Sequence, residues 1–418
     1  MSSTTRAIRS TTRGISKLHL SRYIAGAGTL ALTVGLAACG SSSGGSGGSA
    51  KAPLTIGLLT SETGPYAETV GGSVQGAQAY AKYVNSHGGI GGRTLKIKAY
   101  DNAGSTTQEL ANAHAAVAEG DTAVAVNSYS LSAAEPYLRT SKLPVVGSDV
   151  DPGFSGSNFF SIFGDTFSVS PVQAVESTYI ANTLHTTKVA YVSNNVAGLV
   201  QAMRAYVAVG QHYFHESPVY TNYNIDVTNN ASLLPVAEAI KKSGARAVLA
   251  YLHENQGPTL QVDLNNIGAK VTVVCTGDGD PTIPQQYGSA VNGYTYASIV
   301  APVTATDDPG IHQYIQAMGA DSKFLSSGES GYAAVAMIGE AMQKVAKAGK
   351  AVTSANVTAQ LNSLEGDTVG GILAPLSYPK DHTQFSNCYA YVQVQDGKWT
   401  RTSGSPSNPF VCKSVPKV

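Results

Sequence analysis

A serine set between glycines is the first place where chemistry could reside. Gly40-Ser41-Ser42-Ser43-Gly44 fits G-x-S-x-G, the turn that lifts a nucleophilic serine above a hydrolase sheet. Such a turn needs a strand before it and a helix after it. Here glycine and serine dominate the run from Gly40 to Lys51, so no elbow can form. No H-E-x-x-H occurs, and the nine histidines keep no spacing with a partner that would make a base or a metal ligand. The four cysteines contain no C-x-x-C and no His/Cys ligand spacing, which argues against a zinc site. An enzyme, a metal and a cofactor are therefore not expected.

The N-terminus carries a different chemistry. Residues 1–38 hold Arg6, Arg9, Arg13, Lys17 and Arg22 and no acid. Tyr23 to Ala38 is uncharged and mostly apolar or small. A basic head, a short apolar stretch and small residues before a cut make an export signal. The stretch is short for a spanning helix, which needs about 20 residues. It ends in Leu36-Ala37-Ala38-Cys39, which resembles the lipobox of bacterial lipoproteins. That resemblance implies cleavage before Cys39 and acylation of its thiol, with palmitate as a typical acyl group. The plainer alternative is an ordinary secretory signal with a chance cysteine. Residues 40–51 then form a Gly/Ser tether of about 20 Å end to end.

Composition narrows the function classes. A chain of 418 residues suggests two or three domains. Apolar residues at 43% allow a sizeable core and exclude a mostly disordered chain. Lys+Arg and Asp+Glu both number 27, so there is no basic nucleic-acid footprint. Loss of the basic leader leaves the mature chain mildly acidic. Outside the cytoplasm disulfides persist. Cys388 and Cys412 flank a hairpin-like stretch and are expected to pair, and Cys275, in an apolar run, is expected to be a buried thiol.

Elements that could position a site follow from periodicity. Leu54–Leu59 reads as a strand. Val70, Val74, Ala77, Ala81 and Val84 recur at helical spacing, and Gly88-Gly89 ends that helix. Strands at 95–99, 122–126 and 144–146 alternate with helices at 106–119 and 131–141. The rhythm restarts with a helix from Pro171 to Leu184. Strands at 189–192, 247–251 and 271–275 then alternate with helices at 198–209, 232–242 and 257–267. A strand at 293–300, a helix at 329–347 and a hairpin around Asp396-Gly397 complete the chain. Strands alternating with helices give an α/β fold with largely parallel sheets, here as two doubly wound Rossmann-like units. Ligands of open α/β sheets bind beyond the carboxyl ends of the strands.

At this point the sequence resembles the extracytoplasmic solute-binding proteins of branched-chain amino-acid ABC importers, the leucine/isoleucine/valine-binding protein family with the type I periplasmic-binding fold. The residues that carry the likeness are Ile56-Gly57, Thr63-Gly64-Pro65, Gly76-Ala77, Asp101-Asn102, Leu143-Pro144-Val145-Val146 and Thr276-Gly277-Asp278-Gly279. Asn85-Ser86-His87-Gly88-Gly89-Ile90-Gly91-Gly92-Arg93 is similar to the family's N-x-x-G-G-I-x-G-R turn. The resemblance implies two lobes joined by three crossovers. Lobe one would be 54–173 plus 298–371, and lobe two 174–297 plus 372–418.

The resemblance also implies a ligand site. The family usually holds an amino acid, its carboxylate on lobe-one hydroxyls and backbone N–H groups and its ammonium on a lobe-two acid. Ser128 and Ser130 would be the hydroxyls, though either could simply cap the next helix. Ser148 would offer its backbone N–H. Asp278 would meet the ammonium, or else only form its Gly-Asp-Gly turn. Where the family often has threonine this chain has Val150 before Pro152, flanked by Asp149 and Asp151. An acid there repels a carboxylate and favours a cation or polyol. Asn195, with Asn194, follows a strand, and the family's Tyr-Gly is replaced by Ala197-Gly198. Tyr251 and His253 end a strand and could line lobe two, while Tyr66 could act as a lid and Tyr129 could stack on a flat ligand. The expected partners are a small solute, ABC permease subunits and the membrane reached through the lipid. Nucleic acid is not among them, and the chain is expected to be a monomer. The expected solute is an amino acid or related polar compound. Alternatives are an amide, a urea-like solute, an aromatic acid, or a sensing role for a membrane receptor.

Overall fold

A computed structural model of the chain describes residues 51–148, 156–162, 172–227, 231–253, 255–276, 280, 282–305, 307–319, 325–378, 382, 388–405, 407–416 and 418. Five strands form a wholly parallel sheet: β1 (Leu54–Thr60), β2 (Leu95–Asp101), β3 (Ala123–Asn127), β4 (Val145–Ser148) and β5 (Phe159–Ser161). Their order is β2-β1-β3-β4-β5. Every residue of β1 except Thr55 is buried, as expected of a parallel strand covered on both faces. The connecting helices are α1 (Ala67–Val70), α2 (Ser73–Ser86), α3 (Thr106–Ala118) and α4 (Glu135–Ser141). The expected helix at 131–141 is instead a short 3-10 turn, Leu131–Ala133, followed by α4. Pro136 lies in the first turn of α4, where its missing N–H does no harm, so the helix starts afresh there.

The glycine-rich turn after α2 has a clear local cause. The Asn85 side chain accepts from Leu95 N–H and donates to Leu95 C=O, tying the helix end to the start of β2. Gly88, Gly89, Gly91 and Gly92 all have positive φ, a region that side chains resist. Arg93 then donates to the Ala52 and Pro53 carbonyls ahead of β1.

The second sheet begins after β6 (Val172–Gln173). Its parallel strands are β7 (Lys188–Asn194), β8 (Ser217–Ile225), β9 (Ala247–Tyr251), β10 (Thr272–Thr276) and β11 (Thr295–Ser298). They are joined by α5 (Val175–Asn182), α6 (Ala197–Phe214), α7 (Leu234–Ser243), α8 (Gln256–Asn266) and α9 (Ile283–Tyr287). The apolar pattern does not predict β8, because Pro218 and polar residues interrupt it. It is an edge strand, where proline is tolerated.

After β11 the chain returns to the first sheet with α10 (Pro309–Met318), α11 (Leu325–Lys347) and α12 (Ser354–Leu361). It ends with β12 (Cys388–Gln395), β13 (Lys398–Arg401), β14 (Phe410–Cys412) and β15 (Ser414–Val415). The second sheet runs β13-β12-β11-β10-β9-β7-β8, with β12 antiparallel to β11. The helix expected from Pro171 is displaced by β6, which pairs with β15, and α5 starts only at Val175. A pairing with the far end of the chain overrides the local helical pattern.

Residues 372–378, expected with the second lobe, pack instead with the first sheet's core. Leu373, Leu376 and Tyr378 are buried there with Phe160 and α11. Tyr378 donates to the Ser161 carbonyl and Val300 bridges Leu373. Cys275 is a buried thiol. Cys388 and Cys412 face each other across the β12–β14 ladder and are bonded, 24 positions apart along the chain. Their joint replacement by serine is expected to cost about 3 kcal/mol, read as a lower urea midpoint with a somewhat steeper slope, because the freed unfolded chain exposes more surface.

Candidate functional site

The carboxyl ends of both sheets carry the residues under test. At the first sheet, Asp101 accepts from the Glu62, Thr63 and Ala103 N–H groups and from the Thr63 hydroxyl. Burial alone would raise the Asp101 pKa, but these hydrogen bonds hold it below the usual range. The Thr63-Gly64-Pro65 loop is thus pinned to the end of β2. Asn102 accepts from Ser61 Oγ and the Gly104 N–H and donates to Glu109 Oε2 and Ser128 Oγ.

Ser128 lies in that buried network. Its Oγ accepts from Asn102 and from the Ser130 N–H. It orders the β3 loop from below and is 3% exposed, and Ser130 is 1% exposed. Tyr66 and Tyr129 are brought together, half-buried, with ring centroids 5.1 Å apart. Ser148 ends β4, and Asp149 lies outside the described residues.

Glu109, completely buried on α3 beneath Ser128, has its pKa pushed up to about 7, chiefly by desolvation. Hydrogen bonds from Asn102 and Ser128 oppose that rise, and Oε1 has no partner among the described residues. The folded chain therefore keeps this proton while an unfolded glutamate, at 4.5, has lost it. Its stabilising contribution is complete below about 4.5, declines as pH rises, and is gone above about 7, a change of about 3 kcal/mol. Urea unfolding from pH 5 to 8 is expected to show this decline. Burial raises Glu340 to about 7 as well, so Glu109→Gln is expected to make the decline shallower without abolishing it and to be the more stable chain at pH 8.

At the second sheet, Asn194 brackets three strand ends. Its Oδ1 accepts from the His253 N–H, and its Nδ2 donates to the Ile225 carbonyl and Gln256 Oε1. Asn195 is exposed, and its N–H donates to the Ile225 carbonyl. Tyr251 is buried rather than open to a ligand. Its hydroxyl lies 2.8 Å from that of Tyr206 and 3.4 Å from that of Tyr389. Asp278 lies outside the described residues, as does Cys39.

Sequence reasoning named Tyr251 and His253 here and passed over Ser193, Thr276, Tyr391 and Thr69. Ser193, Tyr251, Thr276, Ala297 and Tyr391 form one row across adjacent strands. Ser193 Oγ and Tyr391 Oη are buried with no partner among the described residues. His253 Nε2 and, on α1, Thr69 Oγ1 are likewise buried and unpartnered among them. Burial lowers the His253 pKa, and the charge of Glu68 on α1 opposes that shift. Glu68 of the first sheet's α1 and His253 of the second sheet are therefore electrostatic neighbours. For Ser193, Tyr251, His253 and Thr276 the available signal was position at or just past the end of a strand, whereas Tyr391 inside β12 and Glu68 and Thr69 on the short α1 carried no such signal.

Among the described residues no group of His, Cys, Asp and Glu could hold a metal. No described helix is long and apolar enough to cross a membrane.

Comparison with known proteins bears on this geometry. A family model described as periplasmic binding protein matches residues 53–398. A Leu/Ile/Val-binding protein homolog from Brucella melitensis is 23% identical over 364 residues, spanning 84% of this chain and 93% of the relative. A branched-chain amino-acid ABC transporter structure from Thermus thermophilus with bound valine superposes with a TM-score of 0.70 at 16% identity, over 84% of this chain and 95% of its own. A fatty-acid ABC transporter substrate-binding protein from Thermomonospora curvata gives 0.67 at 17% identity, over 87% and 92%.

Proposed function

The chain belongs to the periplasmic binding protein family, and from that premise we propose that it captures a small polar solute, an amino acid or related compound, between its two α/β halves and delivers it to an ABC permease. The observation that carries this reading is that buried hydrogen-bonding atoms without partners among the described residues lie near strand ends of both halves, Thr69 Oγ1 on one and His253 Nε2 on the other. Buried polar atoms without partners cost free energy, and a solute held between the halves supplies the partners. Closure of two lobes around a ligand is a hinge motion. The lobes in this reading are 54–162 with 300–378, and 174–298 with the chain after 390. Ile299, which packs against cores of both, marks one crossover.

The basic head, the apolar stretch and the Leu36-Ala37-Ala38-Cys39 sequence support a lipid-anchored, extracytoplasmic protein. Metabolic palmitate labelling that is lost in Cys39→Ala, with release of the protein from the membrane fraction, tests the anchor.

The solute reading is tested by thermal unfolding of the full chain against amino acids, amides, aromatic acids, fatty acids, amines and sugars. A solute at 100 times its Kd adds about 2.7 kcal/mol, which raises Tm by several degrees. Folded protein that responds to no member of this panel would overturn solute capture in favour of a partner-binding role.

A further inference from the structure

Three loops at the strand ends of the first sheet are tied to one buried carboxyl. Ser61, just past β1, donates from Oγ to Asn102 Oδ1 at 2.6 Å. Asn102, just past β2, also accepts there from the Gly104 N–H. Its Nδ2 donates to Glu109 Oε2 and to Ser128 Oγ, both at 2.9 Å. Ser128, just past β3, accepts in turn from the Ser130 N–H at 3.0 Å. Ser61, Asn102, Glu109, Ser128 and Ser130 are all buried. The amide of Asn102 is thus used in full, with two bonds given and two accepted. Ser128 Oγ accepts twice, so its own hydrogen is left to donate, and Glu109 receives it.

The charge state of Glu109 therefore bears on the loops above α3. A hydrogen bond to an ionised carboxylate is about twice as strong as one between neutral groups. Loss of the Glu109 proton draws Asn102 and Ser128 towards α3. Tyr129 lies between Ser128 and Ser130, with its ring against that of Tyr66 from the loop after β1, so the pull reaches the paired rings.

The charged groups on the elements packed against α3 are engaged elsewhere. β1 and the Leu131–Ala133 turn hold no titratable side chain. On β2, Lys98 pairs with Glu119, Tyr100 donates to Asp121, Asp101 holds the Thr63 loop and Lys96 is exposed. On α4, Arg139 pairs with Glu135, and Tyr137 lies against His114 of α3. The rise at Glu109 to about 7 comes from desolvation, opposed by the Asn102 and Ser128 bonds, and owes nothing to these charges. Glu340, raised as well, stands on α11, across the sheet from α3.

We propose that Glu109 is a positioning residue whose proton sets the placement of the Ser128–Ser130 loop and couples it to solute capture. The coupling rests on the solute-capture reading, and the loop response does not. Closure of the second half over these strand ends removes water from above the loop, which disfavours an ionised carboxylate beneath it. Binding then takes up a proton. Affinity is greatest below the pKa of the free chain and falls as pH rises through it.

The test uses the full chain. Tyr129→Trp places a fluorescent ring in the loop, and the chain with Trp399 alone supplies the blank. The fluorescence is expected to titrate with a midpoint near 7, together with the isotope-labelled carboxyl carbon of Glu109. Adding Glu109→Gln is expected to remove that titration. Adding Ser128→Ala is expected to leave the carboxyl carbon titrating while the fluorescence no longer follows it. A flat fluorescence, or one that titrates alike with Glu109→Gln or still follows the carbon with Ser128→Ala, overturns the proposal. The coupling is read by isothermal titration of the chain without the tryptophan reporter with leucine, acetamide, benzoate and glucose, none of which changes charge near neutrality. A solute that binds is expected to weaken about three- to tenfold between about pH 6 and about pH 8, and Glu109→Gln is expected to remove that loss. A loss that persists in Glu109→Gln, or affinity that rises with pH, overturns the coupling. If none of the four binds while the fluorescence titrates, solute capture falls and the coupling with it, and the loop response stands.

Discussion

Gly76→Ala is expected to cost more than about 3 kcal/mol, above the usual range for overpacking. A Cβ at this position would lie 2.0 Å from the Gly328 carbonyl oxygen and 2.8 Å from its carbon. Both are backbone atoms of α11, so no side chain can swing aside. The α2–α11 seam must open, and this seam is central to the first core. Val74, Ala77 and Ala81 of α2 and Ala333, Ala336 and Met337 of α11 are all buried in it. Separating the helices by even an ångström forfeits much of their dispersion contact. The control is Gly268→Ala. There φ is +68° with nothing within 4 Å of the added carbon, so only the backbone conformation objects, at a cost of roughly 1–2 kcal/mol. Urea unfolding of the two variants separates the effects. A cost at Gly76 no larger than at Gly268 would mean that the seam yields.

Asn194→Asp is expected to be the most damaging change at the second sheet's strand ends. The amide fills two roles that one isosteric carboxylate cannot. One oxygen can still accept from the His253 N–H, but the other would face the Ile225 carbonyl and Gln256 Oε1, both acceptors. Rotating the Gln256 amide would relieve one clash and give up its bond to the Asp226 carbonyl. Asn194 is 1% exposed, so water is not at hand to compensate. An uncompensated buried charge costs roughly 3–5 kcal/mol. Asn194→Ala removes the bonds without adding the charge and is expected to be milder. The aspartate variant should recover stability as pH falls and its carboxyl takes up a proton, while the alanine variant should not. Equal loss in both at every pH would show that the lost bonds, not the charge, set the cost. Both variants free the end of β9, so solute binding should fall with them.

The order of elements was legible because it is a local property. Burial of both faces of a parallel strand makes runs such as Leu54–Leu59 and Ala247–Tyr251, and helices betray themselves by apolar spacing such as Val74, Ala77, Ala81 and Val84. The turn from Asn85 to Arg93 could be read because its glycines and its asparagine act on neighbours close in sequence. What failed was decided by distant chain. Residues 172–173 became a strand through β15, and 372–378 joined the first core through Phe160, Ser161 and Val300.

The site divided in the same way. Position at a strand end marked Ser128, Tyr129, Tyr251 and Asn194 as candidates, since strand ends are where an α/β sheet meets its ligand. Sequence could not tell which side chains turn outward. Ser128 turns under its loop because Asn102 and Ser130 N–H claim its oxygen, and Tyr251 turns into a cluster with Tyr206 and Tyr389. Only the tertiary structure set Glu68 against His253 and left Ser193 buried without a partner among the described residues, because those relations depend on packing between segments far apart in the chain.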